Sequence, residues 1–226
     1  MSLKSRLTVR VVLVLPLVAA LMFVPAGSFR FWQGWVFVGI FVVFNAIFVA
    51  YFYRRDPGLV VRRLQNKEPR REQRQFKMLW VPLWVCTLTV PGLDYRFGWS
   101  EALLGGVPVW LTGVSLMIIL IAWLLVFYVL RFNSFASAIV QVEAGQKVIT
   151  DGPYRVVRHP MYSGFALMIL ATPFGLGSYV AFVPAILLIP VLVFRLRDEE
   201  RVLRQELSGY PEYCEHTRFR LIPSVF

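Results

Sequence analysis

Histidine and cysteine occur only twice each in the 226 residues, and 13 carboxylates face 24 Lys and Arg. With so few imidazole and thiol groups, none of them clustered, the chain lacks the ligand spacing of a zinc or redox-metal centre, and no metal is expected. A glycine-rich phosphate loop is also missing. The adjacent Glu199 and Glu200 fall in a helical stretch, where neighbours diverge by about 100°, so they form no acid–base pair of the kind that works on one bond. Internal repeats and low-complexity tracts are absent, and the terminal "PSVF" offers no cysteine for a lipid anchor.

Apolar side chains, by contrast, make up 58% of the chain and the mean hydropathy is +0.62, well above the roughly 45–50% of soluble domains. Runs at 9–26, 31–53, 79–93 (extending back toward Phe76) and 102–130 approach or exceed the roughly 20 residues that cross a bilayer. The run 161–194 is too long for one span and carries "TPFGLGS" near its middle, which predicts a hairpin of two helices. The first run is read as a retained helix rather than a signal peptide, because a second span follows at once. The expectation is an all-α, polytopic integral membrane protein of about six spans. Cys86 lies inside the third run and Cys214 in the polar tail, so no disulfide is expected.

Six spans put 22 of the 24 basic residues on one side, leaving only Arg30 and Arg96 opposite. By the positive-inside rule both termini and the 54–77 and 131–160 loops are cytoplasmic. Anionic headgroups are then sufficient partners for the charge, and no nucleic acid is expected. Segment 54–77, with nine basic and three acidic residues, reads either as a short helix on the inner headgroups, with Val60, Val61 and Leu64 apolar and Pro57 and Pro69 as its punctuation, or as a solvated loop. In 131–160, "SAIVQV" and "KVIT" predict a short hairpin around "EAGQ", "DGPY" a turn, and "HP" a helix start at Pro160. The last span continues through "VFRLRDEERVLRQEL" to a stop at "SGYP".

The polar chemistry therefore gathers at the cytoplasmic interface, in "TDGPYRVVRHPMYSG" and in the helical extension, where Arg195 and Glu199 share a face. A lone His after an Arg, tyrosines, turn backbone and an Arg/Glu pair are equipment for binding a zwitterion. The same residues also read as interface furniture: His159 capping a helix, Arg155 and Arg158 on lipid phosphates, and "DEERVLRQE" as a solvated face.

The block "GPYRVVRHPMYSG", a hydrophobic hairpin, and then "RLRDEERVL…GYPEYCEHTRFRLIP" resembles the isoprenylcysteine carboxyl methyltransferase family and the related membrane phospholipid N-methyltransferases, over roughly residues 110–226. The resemblance implies S-adenosylmethionine as cofactor. It implies cofactor contacts at Gln141, Gln146, Lys147, Val148, Ile149, Tyr154, His159, Pro160, Met161, Tyr162 and Glu199, and a substrate-orienting arginine at Arg195. The chain then divides into N-terminal helices with the basic loop (1–100) and a methyltransferase core (101–226). A lipophilic acceptor entering from the bilayer is implied, an isoprenylcysteine-like carboxylate first. A phospholipid amine, or a non-enzymatic membrane subunit of the same fold, stands as the alternative. The membrane is the cell membrane in a bacterium and the endoplasmic reticulum in a eukaryote, and no oligomeric state follows from the residues.

Overall fold

The computed structural model describes residues 3–64, 71–143 and 145–226. Every regular element among them is helical: α1 (Leu3–Ala26), α2 (Trp32–Arg55), α3 (Pro57–Arg63), α4 (Arg71–Phe97), α5 (Trp99–Leu104), α6 (Val109–Phe132), α7 (Pro160–Gly175), α8 (Phe182–Glu206) and α9 (Tyr210–His216), with a 3-10 turn at Gly152–Arg155. Three of them, Trp32–Arg55, Gln73–Phe97 and Val109–Phe132, are long and apolar enough to cross a membrane. The apolar part of α1, Val12–Ala26, is shorter. At 16 residues, α7 is about 24 Å long, less than the hydrocarbon thickness of roughly 30 Å. Leu13, Leu17, Val24, Val43, Met117, Ile121 and Leu124 stand exposed on α1, α2 and α6. Such an outward apolar surface suits lipid and would be a liability in water. The chain is an all-α, polytopic membrane protein.

The run 161–194 is indeed two helices, parted between Gly175 and Phe182. The run 102–130 is not one: α5 ends at Gly105 and α6 begins at Val109. The break follows from Gly105 and Gly106, whose φ values of 72° and 78° are left-handed, and from Pro108, which cannot donate to a continuing helix.

The helices group into two compact units, each drawn from three chain segments. The first comprises Met1–Ile47, Trp80–Ile121 and Met168–Leu188. Met22, Phe31, Ile119, Ile169, Leu176 and Leu188 are its most buried large side chains. There α1 meets α4 so closely that a Cβ on Gly92 would come within 2.4 Å of the Met22 carbonyl oxygen. Its polar knot is the buried Asp94, which accepts the Ser100 N–H at 2.7 Å and the hydroxyls of Ser100 and Ser178.

The second unit comprises Phe48–Leu79, Ala122–Leu167 and Ile189–Phe226. In it α3 starts on an Asp56 cap, whose carboxylate accepts the Leu59 N–H at 2.8 Å, with Pro57 in the first turn. Leu59, Val60 and Leu64 are buried in protein and Val61 is exposed. The helix therefore does not lie with its apolar residues on headgroups as expected. It is held by Arg62 on the Ser134 carbonyl and Arg63 on the Ser137 carbonyl. Pro69 lies outside the described residues. The expected hairpin in 131–160 does not form either: the described residues from Asn133 to Asp151 carry no strand. Backbone that would have paired with itself is bonded elsewhere, the Ala138 N–H to the Arg62 carbonyl and the Ala138 carbonyl to Arg195. "DGPY" does turn, with Gly152 at φ 59°, packed so tightly that a Cβ would meet the Phe132 ring at 2.6 Å.

Candidate functional site

The second unit gathers most of the expected polar residues. Pro160 is the first residue of α7, and Tyr162, buried on its opening turn, donates its hydroxyl to Glu199. The same oxygen accepts from Arg195 Nε at 3.0 Å. Arg195 and Glu199 are one turn apart on α8, so the shared helix face brings a cation and an anion to one phenol. The Arg195 guanidinium is held in place from several sides: Nη1 donates to Gln73 Oε1 at 2.9 Å, Nη2 to the Ala138 carbonyl at 2.9 Å, and its Cζ lies 4.7 Å from the centre of the Phe76 ring. Gln73 is fully buried and passes its amide on to Asp198, which also takes Arg201.

A second cluster carries the expected Val148 and Tyr154. Both pack against the buried Leu207, Tyr210, Tyr213 and Cys214. The Tyr154 hydroxyl accepts from Asn133 Nδ2 at 2.8 Å, and its carbonyl accepts the Tyr213 hydroxyl at 2.7 Å. Burial pushes both phenols up, Tyr213 to about 12 and Tyr154 higher, so they stay neutral donors at physiological pH. The half-buried Val148 and Ile149 have no backbone hydrogen bond to any described residue. Unpaired amide and carbonyl groups beside aromatic rings are suited to the edge of a heterocycle.

Glu200 faces away from Glu199, as neighbouring helical positions require, and organises a third cluster. Its oxygens take Arg158 Nε at 2.7 Å and Arg220 Nε at 2.8 Å. His159 Nε2 lies 3.4 Å from Glu200 and 3.5 Å from the Tyr210 hydroxyl. Burial would raise the Glu200 carboxyl, but hydrogen bonds from His159 and Arg220 and the charges of His159 and Arg158 outweigh it and bring it down to about 2. His159 is thus anchored to Glu200 and its ring sits 5.7 Å from that of Tyr162.

The remaining expected residues are placed less centrally. Gln141 donates to Glu143 Oε1 at 2.6 Å, and Gln146 Oε1 accepts the Glu143 N–H at 2.9 Å, so both brace the loop. Lys147 is exposed. Met161 offers its sulfur to Arg63 Nη2 at 3.5 Å. Sequence reasoning missed Gln73, Asp198, Asn133, Tyr210, Tyr213 and the role of Glu200. Gln73 is hidden in the basic string "RREQRQFK", 122 residues from Arg195, and no local signal marks it. "GYPEY" holds Tyr210 and Tyr213 in plain view, but as a stop signal.

Two motif blocks that meet around one tyrosine call for comparison with known proteins. Residues 109–208 match the phospholipid methyltransferase family. A solved structure of the eukaryotic intramembrane Ras methyltransferase, isoprenylcysteine carboxyl methyltransferase, superposes with a TM-score of 0.54 at 18% identity, covering 93% of this chain and 74% of that one. The chain has the isoprenylcysteine carboxyl methyltransferase fold. It is also 31% identical over 90 residues to the Delta(14)-sterol reductase of Mus musculus, over 38% of this chain, and spans only 22% of that reductase.

Within that methyltransferase fold, the geometry suits S-adenosylmethionine. The Glu199 carboxylate accepts the Tyr162 hydroxyl and can also accept an ammonium. The aromatic cluster and the unpaired Val148 and Ile149 backbone offer a flat, edge-reading wall. Among the described residues no group of three His, Cys, Asp or Glu side chains could hold a metal.

Proposed function

We propose that this membrane protein transfers a methyl group from S-adenosylmethionine to a lipophilic acceptor, the carboxylate of an isoprenylcysteine-like substrate. The observation that carries the reading is Tyr162 joined to both Glu199 and Arg195 at the start of α7. When bound, the cofactor supplies a methyl sulfonium that is already activated, so the chain has chiefly to align and to exclude water. Glu199 holds the cofactor's ammonium, and the Val148 and Ile149 backbone reads its adenine edge. Tyr154 lines the same wall. Arg195, made rigid by Gln73 and Ala138, presents a planar fork to a carboxylate, which needs no general base.

The family match favours a second reading, a phospholipid amine as acceptor. An amine must first lose a proton, and His159, the one imidazole of the motif block, is engaged with Glu200 and Tyr210. Membranes incubated with methyl-labelled cofactor decide between them: an ester releases labelled methanol in mild base, whereas an N-methyl lipid keeps its label. The reductase resemblance supplies the contrary outcome. Saturable binding of a sterol and a hydride donor, with no calorimetric response to S-adenosylmethionine or its demethylated product, would replace the methyl-transfer reading. No binding of either would leave a non-enzymatic subunit. In the proposed enzyme the cofactor enters from the cytoplasm, where the positive-inside distribution puts the 131–160 loop and the α8 extension, and the acceptor arrives through lipid.

A further inference from the structure

A separate feature lies on the other flank of α8. Arg197, Glu200, Arg201, Arg204 and Gln205 line an open cavity of about 440 Å³ together with Arg220 from the tail. Arg197, Arg201 and Arg204 are spaced i, i+4 and i+7, which places them within one narrow sector of the helix. The cavity's single carboxylate is neutralised from within, since Glu200 is bonded to both Arg158 and Arg220. Arg201 is held by Asp198. Arg197 and Arg204 are exposed and make no ion pair with any described residue.

A merely topogenic stripe of charge has no need to converge. Here Arg220, 20 residues from Glu200 in sequence, is fixed by that carboxylate and by the Phe226 ring, 5.3 Å from its guanidinium, so two chain segments meet at one positive hollow. We propose that this cavity is a phosphate-binding site, its fork-shaped donors taking the phosphate of an anionic lipid headgroup. The placement argues for the lipid source. The apolar run ends at Phe194, so Arg197 lies about 4.5 Å beyond it along the helix, within a headgroup layer of roughly 5–8 Å, and Arg204 about 15 Å beyond it, on the aqueous side of that layer and within reach of its surface potential. Arginine rather than lysine at all four positions matches a phosphate's paired oxygens.

The full chain in detergent, unfolded by heat, tests this with three probes: dioctanoyl phosphatidylglycerol, dioctanoyl phosphatidylcholine and inorganic phosphate. Phosphatidylglycerol should raise the Tm saturably, and Arg197→Gln with Arg204→Gln should raise the half-saturating concentration at least ten-fold. Both side chains are exposed, so the pair should fold with an unchanged ligand-free Tm. The milder Arg197→Lys with Arg204→Lys keeps the charge, loses the fork and should give an intermediate shift. Arg54→Gln with Arg55→Gln, an equal loss of charge elsewhere, should bind as the wild type does. Inorganic phosphate that saturates at millimolar concentration and competes with the lipid would make free phosphate the ligand and overturn the headgroup assignment. An equal response to phosphatidylcholine, or undiminished affinity in both double variants, would overturn the site.

Discussion

Glu199 and Glu200 are neighbours with the same side chain, yet one meets a phenol shared with Arg195 and the other is surrounded by cations. Their predicted responses to mutation differ accordingly. Glu199→Gln removes the charge that holds the cofactor's ammonium and should weaken cofactor binding by about 1.5–3 kcal/mol, measured by titration calorimetry, with little change in Tm. Arg195→Lys keeps a charge but cannot reach Tyr162, Gln73 and Ala138 together, so methyl transfer at saturating cofactor should fall at least ten-fold while cofactor affinity holds. A parallel loss of affinity would undo that separation of roles. Glu200 acts on stability. Its carboxyl, held near 2 in the fold against 4.5 ordinarily, contributes stability that is complete above about pH 4.5 and is lost as pH falls toward 2. The loss amounts to roughly 3 kcal/mol. Thermal unfolding across that window should show a Tm decline that Glu200→Gln removes, from a lower starting stability, because Arg158 is left buried without its carboxylate.

Among the elements, the α7–α8 hairpin and the α8 extension were legible from composition, because a 34-residue apolar run cannot cross once and a Gly-rich break marks where it reverses. The α5–α6 break was not, since two glycines and a proline at one end of a long apolar run also fit a simple span start. The absent hairpin in 131–160 has a different cause: β-branched residues favour extended backbone, but ladder formation needs partners, and Arg62 and Arg195 had already engaged Ala138. In the first unit Asp94 joins the end of α4 to α5 and to the turn before α8. Asp94→Ala strands the hydroxyls of Ser100 and Ser178 and the Ser100 N–H, all buried, and should lower stability by about 3 kcal/mol in detergent unfolding. A change within 0.5 kcal/mol would mean that water can replace the carboxylate.

For the whole molecule, topology is the property on which the proposed site depends. Reporter fusions at Arg96 and after Phe226 should locate to opposite sides, with the latter cytoplasmic. Agreement between them would overturn the six-span topology, and a C-terminus found outside would put the α8 extension across the membrane from the cofactor's pool. That prediction comes from the sequence alone, as do the all-α membrane class, the hairpin and the face shared by Arg195 and Glu199. Hydropathy, charge asymmetry and the 3.6-residue period are all local sums over neighbouring residues. Tertiary structure decided everything that joins distant segments. Gln73 reaches Arg195 and Asp198 across more than 120 residues. Arg220 returns to Glu200, so His159 rests on Glu200 and not on Glu199. A buried polar group must find a partner wherever folding brings one, and in "RREQRQFK" nothing distinguishes the glutamine that will be buried from the one that will not.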